Sequence, residues 1–224
     1  MIIGDFGTSY CKLLDLREGE AAARIIPSKD LEPRTRVVVG TGHNGRRYAE
    51  HYVNELIVLA RGGEAMIEER DFILLDCGSR DIKFIKYRNG APDDMGWNSE
   101  CGASMGFTIE LLASYYGLDY DTMPVPDRPF SVTCGVLGMS SIFDAVVSGV
   151  AEKVAVARFV KGIAMNAYRF AGSPSRLYLS GGLCDNHLFV NSFPCDLVPL
   201  GRFVLLKGLG IMYARLRERG EITD

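Results

Sequence analysis

The chain has 224 residues, of which 47% are hydrophobic and 24% are charged, a composition that is ordinary for a soluble globular protein. A formal net charge of −3 and a pI near 5.7 argue against a nucleic-acid-binding surface, and no stripe of Lys and Arg is visible. No apolar run is as long as a membrane span, and the N-terminus starts as a strand with an acid at position 5 rather than as a signal peptide. We therefore expect a cytoplasmic protein that binds neither nucleic acid nor membrane.

The first part of the chain alternates short apolar, β-branched runs with glycine and charged residues, which is typical of strands. Strands are predicted at residues 2–5, 10–16, 21–27 and 37–40. A helix is predicted over 48–61, with Gly62 and Gly63 as its C-terminal stop.

The pattern then restarts. Further strands are predicted at 71–76, 81–87, 131–134 and 176–180. Helices are predicted over 105–116, where Gly117 follows as a stop, over 141–170, with soft points at Gly149 and Gly162, and over 202–218. This order of elements predicts two α/β halves, each of which opens with a hairpin.

The two opening hairpins share a sequence pattern. DFGTSYCK at 5–12 matches DCGSRDIK at 76–83 at one constant offset, which indicates an internal duplication. The matched pairs are Asp5 and Asp76, Gly7 and Gly78, Thr8 and Ser79, Lys12 and Lys83, Arg17 and Arg88, and Gly19 and Gly90.

An acid followed by glycine and Ser or Thr between two strands forms a tight turn with a carboxylate at its mouth. Glycine lets the backbone approach an anion, and backbone N–H groups with a hydroxyl can bind phosphate oxygens. A carboxylate beside phosphate requires a cation between them, which implies Mg²⁺ held largely through water. For a single copy, a simple hairpin turn is the alternative. Two copies with the same spacing favour two turns on opposite sides of one phosphate chain.

The six cysteines do not form a metal-binding pattern of the Cys-x-x-Cys type. They stand at positions 11, 77, 101, 134, 184 and 195. In a reducing cytoplasm, disulfides are not expected, and the default role of each thiol is that of a small buried hydrophobe.

A third motif, LYLSGGLCDN at 177–186, follows the two hairpin motifs along the chain. With these three motifs in this order, the chain resembles the actin/Hsp70/sugar-kinase superfamily of ATPases. The two hairpins then correspond to its phosphate motifs and the third stretch to its adenosine motif. The resemblance implies an α/β actin-like ATPase (ribonuclease H-like) fold, with duplicated halves and a nucleotide cleft between them. The implied subdomains are residues 1–66 plus 206–224, and residues 67–205, which carry the cysteines of interest.

Within that superfamily, the chain most resembles the BadF/BadG/BcrA/BcrD-type ATPases, the activators of 2-hydroxyacyl-CoA dehydratases. The stretches that carry this resemblance, in chain order, are GTGHNGRR at 40–47, NELIVLARGG at 54–63, DCGSRDIKFIKYRNG at 76–90, NSECGASMGFTIELLASYYG at 98–117, SVTCGVLGMSS at 131–141 and GLGIMYARL at 208–216.

This resemblance implies an ATPase that couples hydrolysis to electron transfer. Each subunit of a homodimer would contribute Cys101 and Cys134 to one shared [4Fe–4S] cluster, and both cysteines precede predicted helices whose N-terminal dipoles stabilise thiolates. Reduced ferredoxin or flavodoxin would be the electron donor, and an iron–sulfur dehydratase or a benzoyl-CoA-type reductase the acceptor. No matching role is implied for Cys184 and Cys195, which we expect to be structural.

The resemblance also assigns the nucleotide site residue by residue. Asp5 and Asp76 would organise Mg²⁺ and the attacking water of ATP hydrolysis, as the catalytic pair. For Lys12 and Lys83, the alternative interpretation is that both side chains simply lie on a solvated face of their strands. The residues assigned to ATP binding are Gly7, Thr8, Ser9, Lys12, Gly78, Ser79, Asp81, Gly106, Gly181, Gly182 and Asn186.

Three departures from the family pattern keep an alternative open. ASMG at 103–106 replaces a Gly-Thr-Gly-like turn, GVLGMSS at 135–141 lacks the usual glutamate, and the chain is shorter than the usual member. The alternative is a divergent nucleotide-binding paralogue, either a small-molecule kinase or a regulatory subunit without a cluster.

Overall fold

The computed structural model describes residues 1–18, 22–98 and 105–222. The chain divides into two compact units, Met1–Arg70 with Phe203–Asp224, and Asp71–Arg202, which we call the first and second unit. The strands within the described ranges are β1 (Ile2–Phe6), β2 (Tyr10–Asp15), β3 (Arg24–Pro27), β4 (Val37–Thr41), β5 (Ala49–Tyr52), β6 (Phe72–Cys77), β7 (Ile82–Arg88), β8 (Ala91–Asn98), β9 (Arg176–Ser180) and β10 (Asp196–Gly201). The α-helices are α1 (Gly45–Tyr48), α2 (Glu55–Met66), α3 (Met105–Tyr116), α4 (Gly135–Val147), α5 (Glu152–Phe170), α6 (His187–Val190) and α7 (Val204–Glu218).

Each unit is built on one five-stranded sheet, and the two sheets have the same topology. The strand order is β3-β2-β1-β4-β5 in the first unit and, read from the corresponding edge, β8-β7-β6-β9-β10 in the second. In both sheets an antiparallel hairpin, β1–β2 or β6–β7, is followed on its other side by a parallel strand, β4 or β9. The predicted internal duplication is therefore confirmed at the level of topology.

The second unit has the larger described core. The central strands β6 and β9 place Leu75 and Leu179 in it, both fully buried. Against them packs α5, whose buried face carries Phe159, Val160 and Ala164. Central parallel strands read as continuous apolar runs because both of their faces are covered, and this is why FILL at 72–75 and LYL at 177–179 were recognisable in the sequence.

The helix predicted over 48–61 is wrong in its bounds. The structure has α1 and the edge strand β5 before α2, which begins after Asn54, whose side-chain oxygen accepts a hydrogen bond from the Leu56 amide at 2.9 Å. Gly62 and Gly63 do not stop this helix, which continues to Met66. A Cβ on Gly62 would lie 2.2 Å from the Val204 carbonyl oxygen, so this glycine permits close packing against α7.

The long helix predicted over 141–170 is two helices, α4 and α5. The break falls at Gly149, whose φ of +92° belongs to the left-handed region. The strand predicted at 131–134 is also wrong. The Phe130 amide donates to the Arg158 carbonyl oxygen at 2.9 Å, and the Asn166 amide nitrogen donates to the Val132 oxygen. Hydrogen bonds to α5 thus take the place of sheet pairing in this segment.

Three strands that the sequence did not predict, β5, β8 and β10, lie at sheet edges. β8 is mostly exposed and includes Pro92, and β10 includes Pro199, a residue that sheets tolerate at their edges. Within the described ranges, none of the helices combines the length and the apolarity that crossing a membrane requires.

Candidate functional site

The first hairpin places a buried ion pair beside its turn. Asp5 and Lys12 are directly opposite in the β1–β2 register, and the Lys12 ammonium donates to Asp5 Oδ2 at 2.6 Å. The side chains are 2% and 12% exposed. The alternative interpretation of Lys12 as part of a solvated strand face is therefore wrong, and the Asp5 carboxylate is held in place with its charge compensated.

The turn that follows Asp5 is fixed by backbone contacts. The Ser28 hydroxyl donates to the Gly7 carbonyl oxygen at 2.9 Å, and the Ser28 amide donates to the Ser9 oxygen at 2.8 Å. A Cβ on Gly7 would lie 2.7 Å from the Tyr10 oxygen, so a larger residue would open the turn. Thr8, at the tip, is exposed. The sequence motif thus forms an ordered turn with an exposed hydroxyl residue beside a buried carboxylate.

The second hairpin repeats the same register. Asp76 and Lys83 are opposite each other in β6–β7, and both are almost fully buried, at 5% and 2% exposure. The Ser180 hydroxyl donates to Asp76 Oδ1. The Lys83 ammonium donates to Asp81 Oδ1 at 2.7 Å, and the Trp97 indole donates to Asp81 Oδ2 at 2.8 Å. Lys83 is therefore a buried ion-pair residue, and a solvated strand face is again the wrong interpretation.

The duplication also includes the strand next to each hairpin, which the sequence analysis missed. Thr41 lies beside Asp5 in the β1–β4 pairing, as Ser180 lies beside Asp76 in β6–β9. The next residue is glycine in both copies, with φ of +95° at Gly42 and +97° at Gly181. A short Ser/Thr-Gly signal at the end of a strand, TG at 41–42 and SG at 180–181, could have revealed this second repeat.

In the second unit, three predicted nucleotide-binding segments come together. A Cβ on Gly106, in the first turn of α3, would lie 2.8 Å from the Gly78 oxygen, and the Phe107 amide donates to the Ser79 oxygen at 3.1 Å. A Cβ on Gly181 would lie 2.4 Å from the Cys77 oxygen. The second turn, the start of α3 and the glycine loop after β9 therefore form one glycine-rich surface, a type of backbone surface that binds anions.

Beside this surface lies a cavity of about 360 Å³. Its walls come from α3, from residues 118–121 and from residues 182–186. The predicted binding residues Gly182 and Asn186 line it. The Asn186 side-chain oxygen accepts a hydrogen bond from the Phe189 amide at 2.8 Å and so also caps α6. The volume of this cavity is within the range typical of small-molecule pockets.

The described cysteines differ in their surroundings. Cys134 is the N-cap residue of α4 and is 5% exposed, whereas Cys101 lies outside the described residues. Burial raises the pKa of the Cys77 thiol well above its usual value and that of Cys184 to about 12, so these thiols stay protonated and inert. Among residues 1–18, 22–98 and 105–222, no group of three or more His, Cys, Asp or Glu side chains is arranged to hold a metal ion.

Comparison with known proteins establishes the fold. No protein-family model and no curated protein matches the sequence. Among solved structures, the activator of 2-hydroxyisocaproyl-CoA dehydratase from Clostridium difficile with bound ADPNP is similar, with a TM-score of 0.77 and 18% identity over 100% of this chain and 98% of that one. Component A of the (R)-2-hydroxyglutaryl-CoA dehydratase from Acidaminococcus fermentans gives a TM-score of 0.76 and 15% identity over 97% and 98% of the two chains. A protein from Sinorhizobium meliloti assigned as 2-dehydro-3-deoxygalactonokinase gives 0.61 and 13% over 96% and 98%. The chain has an actin-like α/β fold with two duplicated halves, as the sequence predicted.

Proposed function

We propose that this protein is an ATP-dependent activator, which uses ATP binding and hydrolysis to drive electron transfer to a partner enzyme. The observation that carries the proposal is the duplicated hairpin, in which a buried Asp lies opposite a Lys and directly before a glycine turn. The fold supports it, because two solved structures with the same fold are an activator with a bound ATP analogue and a dehydratase component.

Each of the two turns has residues that are suited to bind phosphate and a hydrated magnesium ion. Phosphoryl transfer to water depends on positioning and charge neutralisation more than on covalent chemistry. Asp5 and Asp76 would hold Mg²⁺ through water and orient the attacking water molecule. Lys12 adds positive charge beside the first turn. The groups that would contact phosphate oxygens are the backbone amides and hydroxyls of Gly7, Thr8, Ser9, Gly78, Ser79 and Gly106.

ATP hydrolysis by variants of the two carboxylates tests the nucleotide site. Asp5→Asn and Asp76→Asn should each lower the hydrolysis rate at least about a hundredfold, a loss typical of removing a group that positions or deprotonates the nucleophile. Asp94→Asn is the matched control, because Asp94 is an exposed residue of β8. Hydrolysis that survives both substitutions would contradict the assignment. ATP consumption that requires a small-molecule phosphoryl acceptor would point to a kinase.

A [4Fe–4S] cluster shared between two subunits is the second part of the proposal. Cys134 fits the role of a ligand, because the free backbone N–H groups and the positive dipole end of α4 lie at the start of that helix and stabilise a thiolate. When bound, the cluster would supply a low-potential electron for transfer. A chain that offers Cys101 and Cys134 alone provides half of a four-cysteine set, which requires a symmetric dimer. The electron would come from ferredoxin or flavodoxin and pass to an iron–sulfur dehydratase or reductase.

Iron and sulfide analysis after strictly anaerobic purification tests the cluster. The wild-type dimer should contain four irons per two chains if Cys101 and Cys134 are the ligands of one [4Fe–4S] cluster, and Cys101→Ser and Cys134→Ser should each lose it. Cys184→Ser is the control, because the Cys184 thiol donates to the Leu179 oxygen at 3.2 Å and stays protonated. A colourless, iron-free wild-type protein after anaerobic reconstitution would overturn the cluster but not the nucleotide site.

A further inference from the structure

Trp97 lies at the end of a row of side chains that crosses the sheet of the second unit. Residues directly opposite each other in paired strands have their side chains on the same face of the sheet. Asp76 on β6 lies beside Ser180 on β9 and opposite Lys83 on β7. Lys83 in turn lies opposite Trp97 on β8. The row therefore connects the edge strand β8 to the aspartate of the second turn.

Two contacts connect Trp97 to the buried part of this row. Its indole N–H donates to Asp81 Oδ2 at 2.8 Å, and the Lys83 ammonium donates to Asp81 Oδ1 at 2.7 Å. The Lys83 nitrogen also lies 5.3 Å from the centre of the Trp97 ring, within the range of cation–π attraction. Since the Lys83 side chain is 2% exposed, protein groups rather than water determine where its ammonium lies. Trp97 thus holds Lys83 both directly and through Asp81.

The duplicated hairpin of the first unit has different residues at both positions. At the constant offset of the duplication, Tyr10 takes the position of Asp81, and Ile25 on β3 takes that of Trp97. A neutral phenol cannot form an ion pair with lysine, and an aliphatic side chain has no hydrogen-bond donor. In this unit, Lys12 donates to the aspartate of its own row. The acid and the indole of the second copy are thus both replaced in the first, which indicates that they act together.

We propose that Trp97 is a positioning residue for ATP hydrolysis at the second turn. The inference rests on the proposed function, in which Asp76 orients Mg²⁺ and the attacking water. Trp97 acts through Asp81, whose carboxylate fixes the Lys83 ammonium opposite Asp76. Asp81 also closes the turn through its backbone, because its carbonyl oxygen accepts from the Gly78 amide at 3.0 Å. A displaced Asp81 would therefore change both the charge next to Asp76 and the shape of the turn.

Steady-state ATP hydrolysis by the full-length protein, purified anaerobically, tests this role. Trp97→Phe keeps an aromatic ring next to Lys83 but removes the donor to Asp81. It should lower kcat about fivefold and leave the KM for ATP unchanged, because the lost hydrogen bond positions groups for the reaction rather than for binding. In an Asp81→Ala background, Trp97→Phe should change kcat by no more than about twofold, since the group through which it acts is gone. Met95→Ala is the matched control and should keep the wild-type kcat, because Met95 lies on the same strand and is 50% exposed, against 46% for Trp97.

The fluorescence of Trp97 gives a second readout, which needs no variant. Trp97 is the only tryptophan in the chain and is hydrogen-bonded to the turn through Asp81, so saturating Mg-ATP should change its emission. Unchanged emission where calorimetry shows full binding overturns the positioning role and leaves the nucleotide site intact. A folded Trp97→Phe variant with wild-type kcat, or one with the same loss of kcat in the Asp81→Ala background, does the same. A wild type that neither binds nor hydrolyses ATP overturns the proposed function, and this inference with it.

Discussion

Replacing Gly208 by alanine should destabilise the first unit, because α2 and α7 touch there through their backbones. A Cβ on Gly208 would lie 2.0 Å from the Val58 carbonyl oxygen and 3.0 Å from the Gly62 nitrogen. The reciprocal position is equally tight, since a Cβ on Gly62 would lie 2.2 Å from the Val204 oxygen. Backbone atoms cannot rotate away as a side chain can, so the two helices would have to separate.

The size of the effect follows from two opposed terms. Forcing extra volume into a packed contact costs about 1–3 kcal/mol, and a clash with backbone atoms of α2 belongs at the upper end of that range. Alanine in a helix interior gains about 1 kcal/mol over glycine. We expect a net loss of about 2 kcal/mol for Gly208→Ala. Gly210 lies in the same helix with open space around its Cβ position, so Gly210→Ala should gain the propensity term alone.

Urea denaturation followed by circular dichroism measures the difference between the two variants. Gly208→Ala and Gly62→Ala should unfold at lower urea concentration than the wild type, and Gly210→Ala at the same or higher concentration. The predicted gap between Gly208→Ala and Gly210→Ala is about 3 kcal/mol, which is the clash term alone because both variants share the propensity gain. Equal midpoints for these two variants would refute the packing explanation.

Further predictions concern the second unit. Gly181→Ala should lower the stability of this unit, because the new Cβ would lie 2.4 Å from the Cys77 oxygen. Gly182 has open space around its Cβ position, so Gly182→Ala should keep the urea midpoint but lose ATP affinity in calorimetry. Ser180→Ala removes a donor from the buried Asp76 carboxylate and should cost about 1–3 kcal/mol of stability in urea denaturation; an unchanged midpoint would contradict this. Burial keeps the pKa of the Cys77 thiol well above its usual value. Iodoacetamide at pH 8 should therefore modify Cys77 in urea but not in the native protein, as measured by mass spectrometry. Rapid labelling of Cys77 in the native protein would contradict its burial.

The elements that the sequence predicted well are those whose signal is local. β1, β6 and β9 are central strands with continuous apolar runs, and α3 ends at Gly117, which has a φ of +62°. The hairpin turns were recognisable because the residues that form them are adjacent in the chain. The missed edge strands lack such a signal, since exposed strands such as β8 owe their conformation to the neighbouring strand rather than to their own pattern.

Glycine was misinterpreted where its role is long-range. Gly62 carries the same sequence signal as a helix stop, but its partner is α7, which lies far along the chain, and nothing near Gly62 in the sequence indicates that contact. Gly149 gave the opposite error. The sequence predicts a soft point inside one helix at this residue, whereas its positive φ ends α4. Glycine marks a special backbone position, but the kind of position depends on tertiary contacts.

The same limit applies to the two carboxylates of the candidate site. The sequence predicted that Asp5 and Asp76 are equivalent, and their strand registers confirm it. It could not predict which donors each one receives. Thr41 donates its hydroxyl hydrogen to the Val53 oxygen at 2.7 Å, whereas Ser180, at the equivalent position, donates to Asp76 from 104 residues away. A hydroxyl at one strand position thus fixes the backbone in the first unit and orients the carboxylate in the second. Removing the Ser180 hydroxyl should therefore disturb the geometry of the Asp76 carboxylate directly. Removing the Thr41 hydroxyl should instead disturb the contact between the end of β4 and Val53, the residue that follows β5.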